Sequence, residues 1–459
     1  MTHQFNPTIL REYDVRGIVG TTLTEDDAYA LGRTFASQAR DEGARRFAVG
    51  RDGRTHSGML EAALVRGLNE GGIDAVMIGM GPSPMLYFAT HYLDVDGGIQ
   101  VTGSHNPADY NGFKLLLKGR SVFGEEIQAL GRRAASGHWF EGSGTIEEVD
   151  IRAAYVDRLL DGFSGGAYRI GWDAGNGAAG PTLDMLVERL PGQHHVIFSE
   201  VDGRFPNHHP DPTVEKNLAD LKALVARESL DFGIAFDGDG DRIGAVDGQG
   251  RVIWGDQLML ILAEPVLKEQ PGATIIADVK ASQVLFDGIA ALGGQPLMWK
   301  TGHSLIKSKM KETGAPLAGE MSGHIFFKHR WYGFDDALYA AIRLIEAVSQ
   351  SGKSLTEIMD AMPKSIATPE MRFAVDEVRK FAIVDEVRDR LSADGAKVDA
   401  TDGVRVSTAD GWWLLRASNT QDVLVARAEA KDDAGLERLV AQIDDQLGKS
   451  GVTRTEAAH

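Results

Sequence analysis

The stretch Gly98-Ile99-Gln100-Val101-Thr102-Gly103-Ser104-His105-Asn106-Pro107 changes character halfway along. Its first four residues favour an extended strand. Thr102-Gly103 ends that strand, and Pro107 fixes the direction in which the chain leaves. Ser104 is therefore expected on a turn, its hydroxyl exposed, with His105 and Asn106 beside it. A serine so placed can act as a nucleophile or carry a phosphoryl group, although a plain turn cap would use the same residues. What the rest of the chain supplies decides between the two.

Upstream of this stretch, helical patterns over 26–42 and 58–71 alternate with apolar strands. The first of these strands is Phe47-Ala48-Val49-Gly50-Arg51-Asp52 and the next spans 75–78. Such alternation predicts a doubly wound α/β sheet, with ligands at the carboxyl ends of the strands. The plan recurs twice. Ile170-Gly171-Trp172-Asp173 and Ile275-Ile276-Ala277-Asp278 repeat the strand-to-Asp step. His195-Val196-Ile197-Phe198 and Pro296-Leu297-Met298-Trp299 match the second strand. The runs 231–237 and 315–320 match the strand that delivers Ser104. The expected architecture is three related α/β units with mixed sheets, at 1–148, 149–251 and 252–363. From Lys364 the pattern shifts to a helix (381–391), two strands (412–416 and 423–429) and a closing helix (434–446). That is a separate α+β domain over 364–459.

Of 459 residues, 43% are hydrophobic and 25% charged, the balance of an ordinary globular protein. Without cysteine, neither disulfides nor thiolate metal sites contribute. The first residues lack a basic-then-apolar signal and no apolar run approaches about 20 residues, so a cytoplasmic protein is expected. Forty-eight Lys and Arg against 66 Asp and Glu leave a net charge of −18. That field repels nucleic acid and anionic lipid, and nothing implies a protein partner. An anionic small substrate would need a local cluster of cations.

Three further loops, and a stretch just upstream of the second, bear on that substrate. Asp237-Gly238-Asp239-Gly240-Asp241-Arg242 sets three carboxylates at alternating positions, an oxygen cage suited to Mg²⁺ or Ca²⁺. It is not an EF-hand, because the sixth and twelfth positions are Arg242 and Gly248 rather than Gly and Glu. Gly319-Glu320-Met321-Ser322-Gly323-His324 offers donors and acceptors to a polyol, and Lys300-Thr301-Gly302-His303 a base or phosphate contact. Arg416-Ala417-Ser418-Asn419-Thr420 is a donor-rich cup for phosphate. Together they equip a phosphoryl-transfer enzyme acting on a sugar phosphate.

These four motifs, in this order and spread over the whole chain, resemble those of the α-D-phosphohexomutases. The resemblance includes Asp202-Gly203-Arg204-Phe205-Pro206-Asn207-His208-His209-Pro210-Asp211-Pro212, and the Gly-Glu-Met-Ser-Gly form is similar to the phosphomannomutase/phosphoglucomutase branch. The resemblance implies an enzyme that interconverts hexose 1-phosphates and hexose 6-phosphates, of glucose and mannose. Hexose 1,6-bisphosphate would serve as intermediate and activator. Ser104 matches the phosphoserine, and with Asp237, Asp239 and Asp241 it would hold Mg²⁺. Lys114 and His303 match proton-handling residues, and Arg242 matches a residue at the transferring phosphate. Glu320 and Ser322 match readers of the sugar hydroxyls. Tyr13, Arg16, Lys280 and His324 match further substrate contacts, and Arg416, Ser418, Asn419 and Thr420 the phosphate loop. The chain departs from its relatives at Gln421-Asp422, which brings a carboxylate close to that loop. Two rival readings are a phosphoglucosamine mutase, whose third loop usually has Gln in place of Met321, and a non-catalytic sugar-phosphate sensor.

Overall fold

A computed structural model of the chain describes residues 2–419 and 421–453. Strand Arg46–Arg51 runs between two parallel neighbours, Asp74–Met80 and Gly97–Val101. Strand Tyr110–Leu117 returns antiparallel beside Gly97–Val101. The second unit repeats this order with Tyr168–Asp173 between Gly192–Ile197 and Phe232–Phe236, followed by antiparallel Ile243–Asp247. The third does so with Thr274–Asp278 between Gln295–Trp299 and Leu317–Gly319, followed by Ile325–Phe327. The expected repeat is thus a shared four-strand core. The first unit adds edge strands Val15–Ile18 and Ile146–Glu148.

The reversal from third to fourth strand matters most. It puts residues 102–109, 237–242 and 320–324 at one sheet position in each unit, the carboxyl end of a parallel strand. Each delivering strand is buried on both faces, as an apolar run inside a layered α/β sheet should be.

The three units share a core. Helix Ala337–Ser351 is buried almost all round, so its apolar residues serve more than one neighbour. It packs against helices Gly255–Glu269 and Arg152–Leu159 and strands Ile243–Asp247 and Ile325–Phe327. Tyr87 and Phe88 of the first unit, Trp172 and Phe236 of the second and Phe327 of the third belong to one continuous cluster. The last domain has its own core. There an antiparallel sheet (Lys397–Asp399, Val404–Ser407, Gly411–Ala417, Val423–Ala430, with Ile366–Ala367 and Met371–Ala374 on the far side) carries helices Glu377–Ala393 and Asp433–Lys449.

Candidate active site

All four units line one cleft of about 1230 Å³. On its floor Ser104 adopts φ 50°, in the left-handed region. Its amide donates to Thr102 Oγ1 (2.8 Å), and its Oγ lies 3.2 Å from both Asp237 Oδ2 and His105 Nδ1. The expected exposed hydroxyl is a misreading: Ser104 is 3% exposed. The carboxylate loop of the second unit and Arg54 of the first close over it, contacts that a local turn pattern cannot reveal. Arg16 donates to Gly103 O (3.1 Å) and Asn106 Oδ1 (2.6 Å) and pairs with Asp14.

Asp237, Asp239 and Asp241 are all buried, with oxygens within 4.8 Å of one another. Asp237 Oδ1 accepts from the amides of Asp241 and Arg242, both at 3.1 Å. Burial, with Asp239 and Asp241 beside it, pushes the Asp237 carboxyl well up. Lys114, from the strand paired with the one that delivers Ser104, donates to Asp239 (2.6 Å) and to Asp241. Burial works against its charge, but these two carboxylates overcome that and hold it well above the ordinary lysine range. Lys114 is therefore held as an ammonium beside the cage. Ser83 also bonds Asp239. Asp239 Oδ1 is buried without a hydrogen-bond partner, and Asp241 Oδ1 faces His324 Nε2 at 3.3 Å. Hard, convergent oxygens with unsatisfied lone pairs fit Mg²⁺.

The third loop is held from several sides. Glu320 accepts from the Gly302 amide (2.6 Å) and lies 3.1 Å from His324 Nδ1, which is 3.0 Å from Ser322 Oγ. His324 Nε2 is 3.3 Å from Asp241. Burial opposes the charge on His324, yet Asp241 and Glu320 lift its pKa to about 9. Arg242 Nε lies 3.4 Å from His324 Nε2, and the two residues form a β-bridge between units. His303 lines the cleft 5.8 Å from the Tyr13 ring. Burial, then Lys307, push its pKa well down, leaving a neutral imidazole. Lys280 Nζ lies 3.4 Å from Glu370 and 3.9 Å from Asp278.

Elsewhere in the cleft, Arg416 donates from Nε to Asp402 at 3.0 Å, and Asn419 bonds Tyr13. Ser418 also lines the cleft, whereas Thr420 lies outside the described residues. Asp422 does not face the cup: its side chain is 71% exposed, 3.9 Å from Lys380. Two residues the sequence did not flag organise the site. Asp402 also accepts from the Thr301 amide (3.0 Å), tying the Arg416 loop to the His303 loop. Arg54 grips the Ser104 loop. Asp402 sits in an unremarkable Asp-Gly turn, while Asp52 next to Arg54 had a signal in the recurring strand-to-Asp step.

Four sequence models of the phosphoglucomutase/phosphomannomutase family match in order. They are alpha/beta/alpha domain I at residues 7–139, domain II at 153–250, domain III at 254–366 and the C-terminal domain at 370–446. A Pseudomonas aeruginosa phosphomannomutase/phosphoglucomutase is 46% identical over 96% of this chain and 95% of its own. A Neisseria gonorrhoeae phosphoglucomutase is 44% identical over 94% and 95%. The crystal structure of a Burkholderia thailandensis phosphoglucomutase/phosphomannomutase family protein superposes with a TM-score of 0.93, at 42% identity and 98% coverage of both chains. The layered α/β units and their shared cleft define a four-domain phosphohexomutase architecture. The chain belongs to the phosphoglucomutase/phosphomannomutase family.

Proposed function

We propose that this protein is an isomerase that moves a phosphoryl group between O1 and O6 of glucose and mannose phosphates, through phosphoserine 104 and a hexose 1,6-bisphosphate. The single observation that carries this reading is the 3.2 Å contact between Ser104 Oγ and Asp237 in the carboxylate cage, on the floor of a cleft that also contains Arg416. The reaction is assigned to the cytoplasm, where charged sugar phosphates are retained, with those small molecules as its partners. No helix among the described residues is long and apolar enough to cross a membrane.

Phosphate-ester cleavage is so slow unaided that the enzyme must lower the barrier by on the order of 20 kcal/mol. Phosphoserine 104 gives its phosphoryl group to the free sugar hydroxyl. The Oγ–P bond breaks, the sugar O–P bond forms, and the hydroxyl proton passes to a base. Neutral His303 suits that role better than Lys114, whose proton Asp239 and Asp241 hold in place. Arg242 stabilises the charge on the transferring oxygens. Mg²⁺ held by Asp237, Asp239, Asp241 and the Ser104 side would add neutralisation of the same oxygens. The bisphosphate then turns end for end, and Ser104 Oγ takes the other phosphoryl group. The Arg416 cup binds the non-reacting phosphate in both orientations, while Tyr13, Arg16, Lys280 and Ser418 complete the sugar-phosphate contacts.

Intact mass of the purified protein, read beside conversion of glucose 1-phosphate, tests the reading. A phosphoryl group mapping to Ser104 and loss of turnover in Ser104→Ala are expected. Active protein with no phosphate on Ser104 throughout turnover would overturn it.

A further inference from the structure

We propose that Arg54 is the positioning residue of the Ser104 loop and that the segment Asp202-Gly203-Arg204-Phe205 of the second unit holds Arg54 in place, an inference that rests on Ser104 being the phosphoryl carrier. Arg54 is 3% exposed and lies just beyond strand Arg46–Arg51. Its guanidinium donates to four carbonyls of one short stretch. Nη2 reaches Ser104 O (2.7 Å) and Asn106 O (2.6 Å), and Nη1 reaches Tyr110 O (3.0 Å) and Pro107 O. Asp52 Oδ2, 3.2 Å from Arg54 Nε, takes the opposite polarity from the same loop. It accepts from the Gly103 amide (3.0 Å) and Thr102 Oγ1 (2.9 Å). Carbonyls and amides of the loop are thus gripped by one buried ion pair.

The grip has a specific task. A serine in the left-handed region crowds its Cβ against the following carbonyl, so it needs surrounding bonds to stay there. Released, Ser104 would relax toward an extended backbone and carry Oγ away from Asp237. Three neighbours are shaped to this one residue, two to its guanidinium and one to its backbone. The Phe205 ring covers the guanidinium at 5.1 Å. A Cβ on Gly103 would meet Arg54 Nε at 2.4 Å, and one on Gly203 would meet Arg54 Cα at 2.5 Å. The Asp-Gly-Arg-Phe start of the 202–212 motif thereby gains a role without touching the cleft.

Arg54→Lys keeps the charge but cannot fork to four acceptors. Hydrogen exchange across the full chain and steady-state kinetics read the outcome. Amides of residues 102–110 should exchange about tenfold faster while those of strands Gly411–Ala417 and Val423–Ala430 stay unchanged. Turnover should fall about 10- to 100-fold with KM within about twofold, because Arg416 and Glu320, which hold the sugar phosphate, lie on other units. Phe205→Leu should move both readouts the same way by less, and it carries the test where Arg54→Lys does not fold. Unchanged exchange in the loop, or a rise in KM equal to the loss in kcat, would overturn the proposal. An inactive wild type would refute the mutase reading instead, and the exchange measurement would still decide whether Arg54 fixes the loop.

Discussion

Asn419 donates from Nδ2 to the Tyr13 hydroxyl at 2.8 Å, joining the two ends of the chain across 406 positions. The same hydroxyl donates to Thr301 O at 2.9 Å, and Asp402 binds both the Thr301 amide and Arg416 Nε at 3.0 Å. The first, third and fourth units therefore meet in one run of hydrogen bonds around the phosphate cup. Burial raises the Tyr13 pKa, so its hydroxyl stays protonated and able to donate at neutral pH.

Tyr13→Phe removes both bonds with little change in packing. Each is worth about 1 kcal/mol net. If substrate binds to the arrangement these bonds stabilise, KM should rise about 5- to 30-fold for 1-phosphates and 6-phosphates alike. Steady-state kinetics in both directions checks this. A change confined to one direction would mean that Tyr13 contacts one end of the sugar rather than closing the cleft.

Exhaustive chelation should abolish turnover while Tm moves by only a few degrees. Lys114 still neutralises Asp239 and Asp241, and His324 lies beside Asp241. Asp239→Asn should cost about 100-fold or more in kcat, as the loss of one preorganised charge at a transition state commonly does. Full activity after chelation would remove the metal from the mechanism.

Much of this site was legible because each functional loop begins where an apolar strand stops, and the strand-to-Asp step occurs three times. What could not be read is long-range. Arg54 meets Phe205 and Asp402 meets Thr301 only in the folded chain, and no local pattern pairs them. Ser104 looked exposed because a turn pattern says nothing about the unit that packs against it. The worry over Asp422 was also local: the side chain simply points outward, toward Lys380.

Asp336 provides a pH test away from the cleft. It caps helix Ala337–Ser351, accepting from the Tyr339 amide (2.9 Å) and Tyr155 Oη (2.8 Å), and burial pushes its pKa to about 7. Protonated Asp336 thus contributes stability that is complete below its ordinary value of 3.8 and lost as pH rises through about 7. Asp336→Asn can still cap the helix without ionising. Its Tm should exceed that of the wild type near about pH 8, the gap closing toward about pH 4. Calorimetry across that range decides it. A wild type that is the more stable of the two at the alkaline end would contradict the assignment.

The sugar-reading loop predicts tolerance at C2. Glucose and mannose differ only there, and a site that bonded the C2 hydroxyl would discriminate strongly, since the wrong epimer leaves a buried polar group unpaired. Glu320 is oriented by the Gly302 amide and His324, Ser322 by His324, and the Met321 amide by Asp278 at 3.3 Å. Both polar side chains are therefore preset, and their spacing suits adjacent hydroxyls at C3 and C4, which the two epimers present alike. Those hydroxyls also stay roughly interchangeable when the bisphosphate turns over. Met321, whose sulfur rests against Arg427 of the last domain, gives a C2 amine no strong acceptor, so glucosamine 1-phosphate should be the poorest of the three. Comparing kcat/KM for the three 1-phosphates under one set of conditions is the check. A preference for glucose over mannose beyond about a hundredfold, about 2.7 kcal/mol, would mean that C2 is read directly. Glucosamine 1-phosphate as the best substrate would transfer the chain to the glucosamine-specific reaction.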